Sequence, residues 1–519
     1  MTAPGGMGER RAGYTPSLVS GTHRFLHFQC IQMRQCHPDA MFHGKAPMSP
    51  EATAPVRKFR LLTDTLIHAM RSGAMKPGDR LPSVRALCRI HQLSTSTVRR
   101  VLEDLEAAGL IEAQPRRGYF VLEPRMPSPS PSASRPQKVA VAPLALRLFD
   151  ALRDSHVAPF GSPFIEPAWL DLDRVNYHLR QAARRFSPER GLRDLPPGSD
   201  ALRQQIARRA LHQGVTLDWE ETVITCGAME ALNLALRAVA RPGDVIAVES
   251  PTFYGLLHAI ENNGMQALEI RTDPARGIDL DELDAAIPRH NVAACLLMPS
   301  LQNPLGFVMR EADKQRLIDI LERHRIPLIE DDAYRELAFS DVPYRPVKHY
   351  DRSGRVLYCS TFSKAFSPGP RIGWLAAGRY YRETLLLKLM GTLATPIPNQ
   401  MAVASYLQHE KPDRRLAQLR RRLSGQLARL ADEVERHFPP GTRVSRPAGG
   451  YVLWAALPDN VDTLAAYDAT IADGMSYVPG TIFSPSGRFG HCLRLNGGFD
   501  FDRDALARLA RLGRRLTTG

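Results

Sequence analysis

Residues 359–364 read CSTFSK, and the arginine of GPRIGW follows at position 371. The segment ends the strand-like apolar run Val356–Cys359. A lysine that ends a buried strand between hydroxyls is unusual, because burial and a cationic neighbour both lower the pKa of an amine and keep it nucleophilic. Arg371 adds the bidentate fork that suits a phosphate. The segment therefore predicts that Lys364 forms a Schiff base beside a phosphate-binding arginine.

Strand-like apolar runs alternate with helical patterns in the chain from residue 146 onward. Four of these runs, each followed by a turn signal and a helix, are Val245–Val248, Ala294–Met298, Pro327–Ile329 and Val356–Cys359. The alternation is typical of an α/β fold with a mostly parallel sheet. In such folds the functional residues lie where strands end, and the polar motifs of this sequence fall there.

Two of these motifs carry groups suited to a pyridine ring. Residues 330–334 read EDDAY, in which a carboxylate can keep a pyridinium nitrogen protonated and the phenol of Tyr334 can donate to a ring hydroxyl. Residues 300–306 read SLQNPLG and present the amide of Asn303 as a second donor to the same oxygen. Alone, an Asn-Pro turn is usually only a turn, so the prediction depends on the motifs occurring together.

Two further motifs suit a phosphate and a flat ring. Residues 225–229 read TCGAM and run into a helix predicted over Glu230–Ala240, so that free backbone N–H groups form an anion site. Residues 249–253 read ESPTF, directly after a strand-like run, and supply an aromatic ring able to stack on a flat cofactor. A buried phenylalanine is usually only core, and the order of all five motifs along one chain supports the functional interpretation.

From about Pro159 to Leu516 the chain resembles the fold-type I aminotransferases, which use pyridoxal 5'-phosphate. The resemblance implies catalytic roles for Lys364 as the Schiff-base lysine, Asp331 on the pyridine nitrogen and Tyr334 on the ring O3′ with Asn303. The other cofactor contacts that it implies are Phe253 on the ring and, on the phosphate, the backbone of Ala228 and Met229 with Thr361, Ser363 and Arg371. Residues 491–495, HCLRL, resemble the segment whose arginine binds a substrate α-carboxylate, which assigns Arg494 to an amino-acid ligand.

The sequence departs from these relatives ahead of residues 196–207, PPGSDALRQQIA. Relatives commonly have a tyrosine there that reaches the cofactor phosphate of the partner subunit. In this chain residues 191–195 read GLRDL, without a tyrosine. Either Arg193 serves the phosphate or the contact is absent, and the departure favours ligand sensing over efficient turnover.

A smaller domain precedes this segment. Its pattern predicts an amphipathic helix over Phe59–Ser72, a short helix capped by Ser83, and a third helix that is capped by Ser94 and ends at Gly109. Two strands, Leu110–Ala113 and Tyr119–Val121, then flank a basic tip at residues 114–118, QPRRG. Three helices followed by a basic hairpin predict a winged helix-turn-helix.

The chemistry of this domain fits double-stranded DNA, since hydroxyls at a helix N-terminus suit phosphates and arginines reach bases or backbone. Residues 81–121, from LPSVR to RRGYFV, resemble the GntR-type winged helix. The residues that the resemblance places on DNA are Arg80, Ser83, Arg85, Ser96, Thr97, Arg100 and Gly118.

The chain has 519 residues, and these observations predict that it folds into several domains. The expected divisions are a disordered leader at 1–54 with Met41 and Met48 as candidate starts, a winged helix at 55–122, a Pro/Ser-rich linker at 123–145, and an aminotransferase-like domain with large and small subdomains at 146–519. A net charge of +14 favours an anionic partner. Seven scattered cysteines without a CxxC pair predict reduced thiols in a cytosol and no metal site. No apolar run reaches the roughly 18 residues of a membrane span, and the N-terminus shows no secretory pattern, so a cytoplasmic location is expected.

From about residue 56 the whole chain resembles the MocR regulators, which join these two domains. The resemblance implies a homodimeric transcription regulator that binds an operator and senses an amino acid or amine as an aldimine on pyridoxal 5'-phosphate. Two alternatives stay open: an active aminotransferase with an accessory DNA-binding domain, and a plain DNA-binding repressor whose second domain is inactive. Sustained keto-acid production distinguishes the first, and a missing cofactor absorbance distinguishes the second.

Overall fold

The computed structural model describes residues 54–71, 75, 78–107, 110–114, 117–121, 134–340 and 344–518. The predicted leader at 1–54, apart from Ala54, lies outside these residues, as do residues 123–133 of the predicted linker. Within the described ranges, no helix combines the length and the apolar character that crossing a membrane requires.

The N-terminal domain has the three helices and the hairpin that its sequence predicts. Its elements are α1 (Ala54–Arg71), α2 (Val84–His91), α3 (Thr95–Ala107), β1 (Ile111–Gln114) and β2 (Gly118–Val121). The two strands pair antiparallel. Its buried core consists of Leu62, Leu66, Leu81, Leu87, Val98, Val101, Leu102, Leu105, Ile111 and Val121. The prediction of a winged helix-turn-helix is confirmed.

A large sheet forms the centre of the C-terminal domain. Its strands are β3 (Gln137–Lys138), β4 (Thr222–Thr225), β5 (Val245–Ser250), β6 (Gln266–Asp273), β7 (Gly277–Ile278), β8 (Val292–Leu297), β9 (Leu328–Asp331), β10 (Val356–Thr361) and β11 (Gly373–Ala376). The main order is β3-β6-β5-β8-β9-β10-β11-β4, with β7 paired to β6. The run from β6 to β10 is parallel, and β11 is antiparallel to both neighbours. The predicted mostly parallel α/β sheet is therefore confirmed.

Helices and a second sheet complete this domain. The helices are α4 (Ala142–Ala151), α5 (Leu172–Arg185), α6 (Pro188–Arg193), α7 (Asp200–His212), α8 (Ala228–Val239), α9 (Tyr254–Asn262), α10 (Leu280–His290), α11 (Glu311–His324), α12 (Tyr381–Gly391), α13 (Ile397–His409), α14 (Asp413–His437), α15 (Tyr467–Ala472) and α16 (Arg503–Thr518). The small antiparallel sheet contains β12 (Arg443–Val444), β13 (Val452–Ala456), β14 (Val478–Pro479) and β15 (Cys492–Asn496), in the order β12-β13-β15-β14.

The predicted linker at 123–145 is wrong at its C-terminal end. Residues 137–138 form β3, which pairs with β6, and α4 begins at Ala142. The carboxylate of Glu261 accepts the backbone N–H groups of Val141 and Ala142, both at 3.1 Å. A proline such as Pro143 often marks a break in secondary structure. In the first turn of α4 it does not destabilise the helix, because the N–H that it lacks would have no partner there.

Three of the four predicted strands stop two residues too early at the edge that carries the functional motifs, whereas the strand predicted over Ala294–Met298 ends one residue earlier, at Leu297. The strand predicted over Pro327–Ile329 continues to Asp331, which pairs with Cys359 of β10. The apolar pattern ends at the first acidic residue, but the backbone hydrogen bonds of the ladder continue beyond it. The acidic side chain is therefore held by the sheet itself rather than by a loop.

Candidate functional site

Lys364 lies three residues beyond the end of β10, at the C-terminal edge of the parallel strands. Its Nζ donates a hydrogen bond to the backbone carbonyl of Pro163 at 3.1 Å. The same nitrogen lies 5.6 Å from the ring centre of Phe164 and 5.8 Å from that of Tyr334. The amine is thus placed between two aromatic rings and held by one main-chain oxygen.

The electrostatic surroundings of Lys364 lower the pKa of its amine. Burial, followed by the cationic neighbours Arg494 and Arg371, lowers the pKa of Lys364 to about 8, against the opposing effect of Asp331. An ordinary lysine titrates near 10.5. A larger fraction of the amine is therefore unprotonated and nucleophilic at neutral pH than in a solvated lysine.

Asp331 occupies the last position of β9 and is buried. Its Oδ1 accepts the backbone N–H of Ala333 at 3.1 Å. Burial, together with the nearby carboxylate of Asp332, raises the pKa of Asp331 to about 7, while Lys364 acts in the opposite direction. A cationic ring N–H placed against this carboxyl would restore its ionisation, so the residue fits a pyridinium partner.

Asn303 and Tyr334 are brought together although they lie on different loops. The Asn303 Nδ2 donates to the Tyr334 hydroxyl at 3.3 Å. Burial raises the pKa of Tyr334, so its phenol keeps its proton and can donate. In the described structure the Asn303 Oδ1 is buried without a hydrogen-bond partner. The pair offers two donors to one acceptor oxygen, which is what the ring O3′ requires.

An anion site forms around the start of α8. The preceding residue, Gly227, has φ 78°, and no side chain caps the helix. A Cβ at Gly227 would lie 2.5 Å from the Arg371 Nη2, so only glycine leaves room for this guanidinium. Arg371 Nη1 donates to the Ser363 Oγ at 3.1 Å, and the Thr361 Oγ1 lies 3.1 Å from the same oxygen. The first two residues of α8, Ala228 and Met229, have free amides at this end.

Phe253 lies three residues beyond the end of β5 and is partly buried. A Cβ at Gly255 would lie 2.4 Å from the Phe253 Cε1, so the missing side chain leaves space for the ring. The parallel strand order places the end of β5 on the same edge of the sheet as the ends of β9 and β10. Phe253 therefore shares this edge with Lys364 and Asp331, which is the position expected of a ring that stacks on a cofactor.

Arg494 projects from β15 and is fully buried. Its Nη2 donates to the backbone carbonyl of Gly161 at 3.1 Å, and its Nε has no partner among the described residues. The guanidinium lies 5.9 Å from the ring centre of Tyr254 and 5.7 Å from that of Phe483. Because arginine stays charged in proteins, a buried guanidinium with one carbonyl partner fits an incoming carboxylate.

The winged helix presents its hydroxyls at the starts of two helices. The Ser83 Oγ accepts the backbone N–H of Ala86 at 3.2 Å and caps α2. The Ser94 Oγ accepts the Thr97 N–H at 3.2 Å and lies 2.9 Å from the Ser96 Oγ and 2.8 Å from the Thr97 Oγ1. The predicted N-caps are thus observed, and the hydroxyls of Ser96 and Thr97 cluster at the exposed N-terminus of α3.

The wing is joined to the segment before α2 through Arg80. This residue forms an isolated antiparallel bridge with Phe120 of β2. Gly118 has φ 105°, and a Cβ there would lie 3.2 Å from the Arg80 Nε. Arg85 of α2 and Arg100 of α3 are exposed on their helices. The seven predicted DNA residues therefore lie on α2, α3 and the wing base.

Comparison with known proteins identifies both domains. Residues 62–121 match the gntR family of bacterial regulatory proteins, and residues 171–501 match class I and II aminotransferases. The HTH-type transcriptional regulator YdcR of Escherichia coli K12 is 38% identical over 464 residues, which cover 89% of this chain and 99% of that protein. The HTH-type regulator YjiR of the same organism is 34% identical, with 85% and 94% covered. The chain belongs to the MocR-type regulators.

The fold of the second domain of this MocR-type regulator also has solved counterparts. The structure of LysN, an α-aminoadipate aminotransferase from Thermus thermophilus complexed with N-(5'-phosphopyridoxyl)-L-leucine, is 27% identical with a TM-score of 0.64. The match covers 70% of this chain and 94% of that chain. The cofactor of the aminotransferase class is pyridoxal 5'-phosphate, so the predicted cofactor is confirmed, as are the fold and the GntR-type regulator with an aminotransferase-like domain.

The site of this MocR-type regulator contains groups that the sequence did not indicate. The backbone carbonyl of Pro163 accepts both the Lys364 amine and the Tyr451 hydroxyl, the latter at 2.6 Å. Gly161 supplies the carbonyl on Arg494. A contact made by a main-chain oxygen cannot be predicted from residue types. The glycine at position 161 is the one residue type that could have indicated a close approach, since a Cβ there would lie 3.0 Å from the Tyr477 carbonyl oxygen.

Glu249 is a second group that sequence analysis did not single out. It is fully buried near the end of β5, and its Oε2 accepts the backbone N–H of Met298 at 3.0 Å. Burial raises the pKa of Glu249 to about 8, and the nearby Asp331 adds to the shift. Glu249 is therefore mainly protonated at neutral pH and adds little charge to the site.

In this MocR-type regulator, the stretch that lacks the tyrosine of its relatives, residues 191–195, covers the end of α6 and the turn after it. Arg193, the predicted substitute, ends α6, but its side chain lies outside the described residues. Both alternatives for the phosphate contact therefore stay predictions.

The lowered pKa of Lys364 predicts the pH dependence of covalent cofactor attachment. Only the neutral amine attacks a carbonyl, so we expect the attachment rate of pyridoxal 5'-phosphate to the cofactor-free protein to rise with pH through about 8 and then level off. Stopped-flow absorbance across the range from about pH 6 to 10 measures it. A rate that keeps rising towards the ordinary lysine value of 10.5 would contradict the lowered pKa.

Arg100→Ala is expected to weaken DNA binding. Loss of an arginine contact to DNA costs about 1–3 kcal/mol, or about 5- to 150-fold in affinity at fixed salt. Fluorescence anisotropy with an operator duplex measures the change. Arg153→Ala is the matched control, because Arg153 is exposed in the other domain and its loss changes the net charge equally. Equal weakening by both variants would show that only overall charge matters.

Proposed function

We propose that this regulator senses an amino acid at its pyridoxal phosphate site and converts binding into a change of DNA affinity. The observation that carries the proposal is Arg494, a fully buried guanidinium whose Nε has no partner among the described residues. It shares its surroundings with Lys364, since the charge of Arg494 lowers the pKa of the Lys364 amine. A carboxylate at Arg494 and an amine at the Lys364 position together describe an amino acid.

The residues of the site would each have a separate role in binding the cofactor. When bound, pyridoxal 5'-phosphate supplies an electron-poor ring with a carbonyl carbon that reacts with primary amines. Lys364 provides the covalent attachment, Asp331 holds a proton at the ring nitrogen, and Asn303 with Tyr334 donates to O3′. The amides at the start of α8 and the Arg371 guanidinium hold the phosphate, while Phe253 covers one face of the ring.

Ligand binding would act on a segment that leads towards the DNA-binding domain. The carbonyls of Gly161 and Pro163 accept hydrogen bonds from Arg494 and Lys364. A carboxylate at Arg494 competes for the donor that Gly161 uses, so the backbone around Gly161 is expected to adopt two arrangements. This segment follows α4 and the linker region in the chain, which gives the change a path to the DNA readers.

We infer a homodimer that acts in the cytoplasm. A winged helix binds half-sites, and two copies are needed to read a paired operator. Paired readers also allow a change in their separation to alter DNA affinity without unfolding either domain. Contact with chromosomal DNA requires a location in the cytoplasm. Equilibrium sedimentation at several concentrations tests the dimer, and a monomer at micromolar concentration would contradict it.

An active aminotransferase with an accessory DNA-binding domain is the second candidate. It is favoured by the grouping of Lys364, Asp331, Tyr334, Asn303 and Arg494 in one site, because these side chains suffice for chemistry on an amino acid. Keto-acid production over many turnovers decides between the two functions. A sustained rate of roughly 1 per second or more would establish the enzyme, whereas a spectral change without sustained turnover supports the sensor.

The proposed function is tested directly by DNA binding of the full chain. Anisotropy with duplexes from the intergenic region upstream of its own gene is measured with pyridoxal 5'-phosphate, alone and with a panel of amino acids. At least one amino acid should change the affinity several-fold. A DNA affinity that no amino acid and no cofactor alters would overturn sensing and leave a plain DNA-binding repressor.

A further inference from the structure

We propose that the ligand of this site is an α-amino acid with an uncharged, apolar side chain, and that Phe164 selects it. The inference rests on the proposed function, since it names the class of amino acid that the same site takes. It follows from the charges around Lys364 and from the position of one half-exposed ring.

Few charged side chains among the described residues act on the reactive amine. Within the described ranges, three charged side chains shift the pKa of Lys364, namely Arg494, Asp331 and Arg371. Their partners are the ligand carboxylate, the ring nitrogen and the cofactor phosphate. Glu249 is mainly protonated at neutral pH because its pKa is about 8. A second carboxylate or a second amine on the ligand would find no opposite charge here, and an unpaired charge in a buried site is costly.

Aromatic rings surround the positions that the ligand would bridge. Lys364 Nζ lies between the rings of Phe164 and Tyr334, and the Arg494 guanidinium lies near the rings of Tyr254 and Phe483. A surface of this kind favours an apolar or aromatic side chain, which gains from contact with ring faces. The same surface makes few favourable contacts with a polar ligand side chain of the same length.

Phe164 is the ring most available to a ligand. It keeps 49% of its surface exposed although it lies beside the buried amine of Lys364. Its backbone is fixed, because its N–H donates to the Ser162 Oγ at 3.1 Å and its carbonyl accepts the Asn496 Nδ2 at 2.9 Å. An exposed ring on a fixed backbone next to the reacting nitrogen is positioned to stack against the ligand side chain.

The test is a set of absorbance titrations of the cofactor-loaded full chain with L-phenylalanine, L-alanine, L-glutamate and L-lysine. For the unaltered protein we expect phenylalanine to bind at least about tenfold more tightly than the other three. Phe164→Ala should weaken phenylalanine about tenfold and leave alanine unchanged, since the methyl group of alanine is too small to stack on a ring. Phe164→Leu should recover part of the loss.

Phe149→Ala is the matched control. Phe149 lies in α4 with 46% of its surface exposed, close to the 49% of Phe164, and should leave all four titrations unchanged. Tightest binding of glutamate or lysine would overturn the inference and leave the proposed function intact. Equal weakening of alanine and phenylalanine by Phe164→Ala, or a change in the protein's oligomeric mass, would overturn the role of Phe164. No response to any amino acid by the cofactor-loaded protein would overturn both proposals.

Discussion

Lys364→Ala will carry no covalently attached pyridoxal 5'-phosphate, and this is the largest effect that the structure predicts. The alanine has no amine, and the cofactor must then rely on contacts to Asp331 and to the phosphate site. Borohydride reduction followed by intact-mass spectrometry measures the attached fraction. We expect a nearly complete adduct for the unaltered protein and none for the variant.

Lys411→Ala is the control for this experiment. Lys411 is exposed just before α14, so its loss should leave the adduct complete. If an adduct persisted in Lys364→Ala, the cofactor would be attached to another lysine, and the assignment of the cofactor site around Lys364 would be wrong. Lys364→Ala should also lose the effect of amino acids on its DNA affinity while it still binds DNA, because the winged helix has a core of its own.

Arg494→Gln will bind amino acids at least about 30-fold more weakly and still attach the cofactor. Removal of one partner of a buried, hydrogen-bonded charge pair costs about 2–5 kcal/mol, since the ligand carboxylate is left without its cation. Absorbance titration of the cofactor-loaded protein measures the affinity. Arg494→Lys should fall between the two proteins, because lysine keeps the charge but not the bidentate geometry.

A primary amine without a carboxylate separates this effect from a general loss of structure. Such an amine does not use Arg494, so its affinity should be the same in the unaltered protein and in Arg494→Gln. Arg421→Gln, at an exposed position of α14, provides the control for loss of a charge. If the variant weakened the simple amine as much as the amino acid, Arg494 would have a structural role and would not bind the carboxylate.

Much of the candidate site was predictable because its side chains follow strands within short motifs. Lys364, Asp331 and Asn303 each occur where an apolar run meets polar residues, and parallel strands bring such ends to one edge. The end of the linker was not predictable in the same way. The short strand Gln137–Lys138 forms through pairing with Ala267 and Gln266, and no local pattern announces a partner about 130 residues away.

The sequence by itself determined the two fold classes, the cofactor and the segment that carries Lys364, since each depends on local patterns of residue type. Only the tertiary structure decided how that lysine is held. Its partner Pro163 is 201 residues away, and Gly161 is 333 residues from Arg494. The pKa of about 8 for Lys364 also comes from burial and from distant charges. These properties arise when the chain folds, because burial and long-range proximity belong to the assembled core and not to any segment of it.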